Sequence, residues 1–194
     1  MDEMSPEYLR YAWIDLETTG TKPGAILEIC CIITDCKMNV IAEYDSLVMP
    51  DDKSLDNMND FVRNMHTDNG LLDRLKDGPA LEDVEQELST ILKNINDGNP
   101  RRTLMVGNSI GSLDLPYIRA CMPKVAAQMH YRSIDMTGVR LFMGMMSGQS
   151  ILFEKKKNHR AKDDILECQE EAKYLWSLMD NEKFGPIIKF GEEA

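Results

Sequence analysis

Residues 11–20 read YAWIDLETTG. Tyr11, Ala12, Trp13 and Ile14 form a short apolar run that predicts a buried strand. Thr18, Thr19 and Gly20 end it, since glycine opens backbone conformations that other residues resist. Asp15 and Glu17 stand at the exit. Side chains two apart in a strand share a face, so both carboxylates converge on one point, where repulsion calls for a proton or a cation between them. The spacing predicts a divalent-metal site at a strand end; taken alone it fits equally well two acidic residues at the mouth of an ordinary strand.

Outward from this stretch, residues 25–35 (AILEICCIITD) and 40–48 are apolar runs separated by Cys36-Lys37-Met38-Asn39. They predict three consecutive strands of one sheet, the second pair an antiparallel hairpin. Pro50 to Ser54 reads as a polar loop, and two short helical patches between Met58 and Lys76 flank a turn-rich segment, His66-Thr67-Asp68-Asn69-Gly70. Leu81, Val84, Leu88, Ile91, Leu92 and Ile95 recur at helical spacing, and Asp97-Gly98-Asn99-Pro100 ends that helix. A short strand, Leu104 to Gly107, leaves through Asn108-Ser109-Ile110-Gly111 to a helix headed by Asp114 and closed by Met122-Pro123. Ser133 to Asp135 reads as a further strand, followed by a helix from about Val139 to Met146. After a loop up to Asn158, the last helix runs from about Arg160 to Met179. Its residues Ala161, Ile165, Cys168, Ala172, Trp176 and Met179 fall within a sector of ~60° at ~100° per residue. That rotation sets Asp164 at the border of the buried face and Asp163 in solvent. The remainder, to Ala194, is a polar tail with one apolar patch, Ile187 to Phe190.

The totals narrow the function classes. A chain of 194 residues with 43% hydrophobic and 28% charged residues fits one soluble domain with a core that needs no disulfides. Met1 to Arg10 has no apolar core of a signal, and no run approaches the roughly 18 apolar residues of a membrane span. A soluble, cytoplasmic protein with no membrane partner is expected. The five cysteines are odd in number and lack CxxC spacing, which points to reduced thiols, mostly in the core, and away from zinc. A net charge of −11 disfavours a broad grip on long duplex nucleic acid. The one dense basic patch is Lys155, Lys156, Lys157 and Arg160, beside His159. Met143, Met145 and Met146 read as soft core filling.

Four carboxylates at the ends of elements, Asp15, Glu17, Asp114 and Asp164, together with His159 five residues before Asp164, form a recognisable set. The chain resembles the DEDDh 3′-to-5′ exonucleases, and within them the oligoribonuclease family, through WIDLETTG, MHTDNGL, GNSIG, MP, HYRSID and HRAKDD in that order. The resemblance runs from about Tyr11 to Met179. It implies an α/β fold of the RNase-H-like exonuclease type, a mixed central sheet with helices on both faces. It divides the chain into an extension (1–10), an exonuclease domain (11–180) and a tail (181–194). It implies hydrolysis of short single-stranded RNA to 5′-mononucleotides with two divalent ions, Mg²⁺ or Mn²⁺, which suits oxygen ligands and phosphodiester chemistry. Asp15 would bridge the ions, Glu17 and Asp164 would hold the nucleophile-side ion, and Asp114 would orient the other. His159 would be the base. Substrate contacts would come from His66, Ser109, Tyr131, Arg132 and Thr137, with Tyr131 reaching across a homodimer and Arg132 clamping phosphate.

The chain departs from the pattern at Thr21, where Leu is usual, at Phe61, where Trp is usual, and at Thr137-Gly138, where Ser stands first; one extra residue separates GNSIG from Asp114. These departures leave all five catalytic positions filled and bear on substrate preference; two alternatives stand beside the short-RNA reading. One is a general DEDDh exonuclease on longer RNA or DNA. The other is a catalytically inactive domain that binds nucleotides.

Overall fold

The computed structural model describes residues 5–20, 24–56, 58–155 and 159–179. Thr21, Lys156, Lys157 and the tail with its Ile187 to Phe190 patch lie outside the described residues. Strands β1 (Arg10–Thr18), β2 (Ile26–Thr34) and β3 (Val40–Leu47) pair antiparallel, while β4 (Thr103–Gly107) and β5 (Met129–Asp135) add in parallel beyond β1. The order is β3-β2-β1-β4-β5, and this is the mixed sheet that the resemblance implies. The hairpin between β2 and β3 turns where expected, because Asp35 Oδ1 accepts from the Lys37 and Asn39 amides at 2.8 and 2.9 Å.

Helices α1 (Asp52–Asp56), α2 (Asp60–Asp68), α3 (Leu71–Arg74), α4 (Leu81–Asn96), α5 (Asp114–Cys121), α6 (Pro123–Ala127), α7 (Met136–Ser147) and α8 (Ala161–Ser177) surround the sheet. Strand alternation decides which helix covers which face. Ala12 and Ile14 of β1, with Ile29, Cys31 and Ile33 of β2, pack against Val84, Leu88 and Leu92 of α4 and Tyr117 and Ile118 of α5. Trp13, Cys30 and Ile32 turn the other way, against Met136 of α7 and Ile165, Cys168 and Leu175 of α8. Every residue of β2 is buried, as a strand paired on both edges and covered on both faces must be. Leu27 anchors a third cluster with Val62, Leu71 and Leu75, which seats α2 and α3. Among the described residues no helix is long and apolar enough to cross a membrane.

Four expectations need correction. The segment read as a polar loop after Pro50 turns into α1, because the Asp51 carboxylate caps it, accepting from Ser54 N at 2.8 Å and Ser54 Oγ at 3.1 Å. The turn-rich segment at 66–70 shrinks to Asn69-Gly70. His66 lies inside α2, and Gly70 takes the left-handed conformation at φ +72°. The most buried line of α8 runs through Glu171 and Leu175, since two cations draw Glu171 inward, while Ala172, packed against the core, and Trp176 and Met179 are only partly buried. Met145 and Met146 are not core filling: with Leu141 and Phe142 they stand exposed on α7.

Candidate active site

The ladder between β1 and β4 ends at the Trp13–Val106 pair, while β1 continues along β2 to Thr18. Beyond Trp13 one edge of β1 is therefore open, at the carboxyl end of the parallel strands, where open α/β sheets place their ligands. Asp15 and Glu17 sit on that open length. Gly107 closes the wall beside them; a Cβ there would lie 2.9 Å from the Ile14 carbonyl oxygen, so only glycine lets the β4 exit approach so closely. The resulting cavity, about 240 Å³, is lined by Asp15, Asp164, Asn108, Ser109, Lys155 and Leu113 among others.

Asp15, Glu17 and Asp164 each offer a carboxylate oxygen within 4.8 Å of the other two. Asp163 is exposed and Asp164 half-buried, as the helical rotation predicts. Asp114, 5% exposed, stays on the flank of this cluster; its Oδ1 accepts from the Leu16 amide at 3.1 Å. Burial, then the charges of Asp114, Glu17 and Asp164, push the Asp15 carboxyl well above the carboxylate range. Burial and Asp164 push Glu17 up to about 8. Burial raises Asp114 to about 7, and it raises Asp164 with a partial offset from His159. Four acids whose surroundings resist their charge are a site built for a compensating cation. A donor set made only of carboxylate oxygens fits a hard divalent ion.

The remaining residues expected at the site are spread around it. His159 does not line the Asp15 cavity. It stands exposed at the rim of a neighbouring cleft of about 680 Å³ with Phe61, Asn64, Met65 and Arg160. His159 and Ser109 both hold the left-handed conformation, at φ +50° and +54°, and such backbone settings concentrate at functional positions. The Asn69 side chain holds His159 by donating to its carbonyl.

His66 is fully buried behind Glu17: its Nε2 bonds the Thr18 carbonyl at 3.0 Å, and its Nδ1 faces Glu17 Oε2 at 3.8 Å with no hydrogen-bond partner. Burial lowers its pKa, which disfavours a charge on the ring behind the Glu17 carboxylate. Ser109 Oγ and Thr137 Oγ1 are 3.3 Å apart, so the Thr at this position keeps a hydroxyl beside the cavity. Tyr131 and Arg132 do not line the cavity. Tyr131 is 64% exposed, stacked on His130 with ring centroids 4.6 Å apart, and the Arg132 guanidinium lies 4.7 Å over its ring.

Three further acids organise the site and escape a reading of the sequence. Glu28, opposite Glu17 in the β1–β2 register, accepts from Arg160 Nε at 3.0 Å and from the Ala161 amide at 3.1 Å. It caps α8 with a negative charge and so fixes the helix that carries Asp164. Its one outward sign is a lone acid inside the apolar run AILEICCI. Asp135 accepts from the Ser109 and Gly138 amides, both at 3.1 Å, tying the β4 exit loop to the start of α7. Glu171, buried on α8, pairs with Arg140 at 2.7 Å and Lys155 at 3.2 Å.

Known proteins resemble this chain in family and in fold. The exonuclease family model RNase_T matches residues 12–172. The chain is similar to the oligoribonuclease of Leifsonia xyli subsp. xyli, at 36% identity over 171 residues, covering 85% of this chain and 81% of that protein. It is similar to the oligoribonuclease of Francisella tularensis subsp. tularensis, at 38% identity over 167 residues, covering 84% and 91%. Among solved structures it resembles E. coli exonuclease I in complex with a dT13 oligonucleotide, with TM-score 0.64, 13% identity and 91% of this chain covered. The chain spans 42% of that protein, and at this identity the likeness concerns the fold alone.

Proposed function

Because the chain belongs to the oligoribonuclease family of exonucleases, we propose that its acidic cluster is the centre at which a 3′-to-5′ exoribonuclease degrades short RNA to 5′-mononucleotides. The observation that carries this reading is the convergence of the Asp15, Glu17 and Asp164 oxygens within 4.8 Å. In this reading residues 11–180 are the exonuclease unit and Mg²⁺ or Mn²⁺ is the cation. Asp15, Glu17, Asp114 and Asp164 would hold two such ions, Glu17 and Asp164 serving the nucleophile side, Asp114 the other, and Asp15 both. When bound, the ions supply an activated water and stabilise charge on the attacking and leaving oxygens.

The protein's own groups do the rest. His159, at the rim and next to Asp164, takes the proton of the attacking water, a task suited to imidazole at neutral pH. Glu28 and Arg160 hold α8 so that His159 and Asp164 keep their relation. Ser109 and Thr137 offer paired hydroxyls to the substrate's phosphate end. His66 is assigned to the same subsite, which it serves from behind Glu17. Phe61, exposed on the cleft that His159 shares, offers a face for a base to stack on. All five cysteines are free thiols, which fits the reducing cytoplasm.

A time course with Mn²⁺ on 5′-labelled RNAs of two, seven and about twenty nucleotides, beside matched DNA, tests the substrate class. The dinucleotide is expected to disappear fastest. Equal or faster loss of the twenty-mer or the DNA would move the assignment to a general exonuclease, and cleavage of none would leave a binding domain.

The chain is also proposed to act as a homodimer. Helix α7 exposes Leu141, Phe142, Met145 and Met146 together, an apolar surface of the kind that marks an interface. It follows directly on β5, whose exposed Tyr131 and Arg132 do not reach the cavity of their own chain. A partner's cavity gives both a use, Arg132 as phosphate clamp and Tyr131 as a stacking group. Sedimentation velocity is expected to give twice the chain mass of 22.1 kDa. The double variant Leu141→Lys/Met145→Lys is expected to sediment as a monomer with most of its activity gone. A monomeric wild-type protein that is fully active would remove the dimer from the scheme.

A further inference from the structure

The cavity that holds Asp15 and Asp164 also holds Lys155, the one cationic side chain among the described residues lining it. Lys155 belongs to the basic patch that precedes His159, and its side chain is 25% exposed. It is not loose. Its Nζ lies 3.2 Å from Glu171 Oε2, and Glu171, with no exposed surface at all, takes a second cation, Arg140, at 2.7 Å. The Asn108 amide joins the same network: in the orientation that satisfies both of its ends, it donates to Glu171 Oε2 at 3.2 Å and accepts from Lys155 Nζ.

A buried carboxylate needs pairing, and one cation suffices to neutralise it. Glu171 has two, so the trio of Glu171, Arg140 and Lys155 carries one positive charge in excess. Of the two cations only Lys155 faces the acidic cavity. Without metal its charge offsets those of Asp15 and Asp164. Divalent ions on those carboxylates would repel the ammonium from them, while Glu171 and Asn108 keep it in the cavity. A phosphate oxygen of a bound substrate would then offer the ammonium a further acceptor.

We propose that Lys155, anchored by buried Glu171, is a substrate-contacting residue that donates to a non-bridging oxygen of the phosphodiester being cleaved. The proposal rests on the exoribonuclease reading above. The contact adds positive charge where negative charge builds up on phosphorus oxygens, and it makes and breaks no bond of its own.

The test uses the full chain as wild type, Lys155→Met, Lys155→Gln and Lys155→Arg, with melting curves to establish folding. Mn²⁺ binding is measured calorimetrically without RNA, and kcat and KM are measured on a dinucleotide. Removing a competing cation is expected to leave Mn²⁺ binding as tight as in wild type or tighter. Both neutral variants should lose about 10²-fold in kcat/KM, and Lys155→Arg should recover part of the loss. Weaker Mn²⁺ binding in the neutral variants would make Lys155 a support of the metal site and overturn the proposal. So would wild-type kcat/KM in either folded neutral variant. A folded, Mn²⁺-binding wild type that leaves the dinucleotide intact would instead refute the exoribonuclease reading, and this contact with it.

Discussion

Asp15→Asn is expected to cost about 10³-fold or more in turnover and at the same time to raise the melting temperature measured in EDTA. The two effects have one origin. Asp15 lies at the meeting point of Glu17, Asp114 and Asp164, and burial together with those three charges holds its carboxyl far from its ordinary pKa. The arrangement is therefore repulsive until a cation arrives, and a neutral amide of the same shape relieves it. A relief of about 2 kcal/mol corresponds to roughly 4–8 °C in a domain of this size. The same amide offers a cation no charge, so the centre that turnover requires is lost. Melting curves in EDTA and dinucleotide hydrolysis in Mn²⁺ check both halves. A variant that keeps its activity, or one that melts lower than wild type without metal, would contradict the role given to Asp15.

Metal-free protein is expected to lose stability as the pH rises from about 6.5 to 8, and saturating Mn²⁺ to abolish that loss. Glu17 titrates at about 8 and Asp114 at about 7 in the folded protein, against 4.5 and 3.8 ordinarily. Between those values the folded chain holds protons that the unfolded chain has released. The contribution is complete below pH 4, and it is lost as the pH rises through 7 and 8. The part lost between pH 6.5 and 8 is on the order of 2 kcal/mol. Below pH 6.5 the depressed pKa of His66 acts in the opposite direction, since the unfolded chain then takes up a proton that the buried ring does not. The clean window therefore lies above it. Divalent ions replace the protons, so their stabilising effect should grow with pH. Denaturation midpoints at pH 6.5, 7.2 and 8 in EDTA and in Mn²⁺ decide the matter. A flat or rising metal-free series would show that the carboxylates are not held in repulsion.

Much of this centre was legible in the sequence because it follows from two periodicities. Asp15 and Glu17 share a strand face, and the rotation of α8 separates Asp164 from Asp163; neither inference needs a distant residue. Glu28 was hidden because its acid sits inside an apolar run and its partner Arg160 is 132 positions away. Glu171 was hidden for the converse reason. Hydropathy places a glutamate outside a helix, and only Arg140 of α7 and Lys155 of the loop before α8 reverse that. His66 looked like part of a turn, since its neighbours are capping residues, whereas α2 absorbs them and buries the ring. His159 was assigned through its motif alone, and no periodicity would have set it in a cleft beside the one that holds Asp15.

The clasp of Glu28 on Arg160 and the Ala161 amide joins the second strand to the last long helix. During synthesis the ribosome delivers Asp15 and Glu17 long before Asp164. Until α8 has emerged and found Glu28, the nascent chain carries two thirds of an acidic triad and no means of closing it. Closure of the acidic centre therefore waits on a contact between segments 132 positions apart, and the first half of the chain alone cannot assemble it.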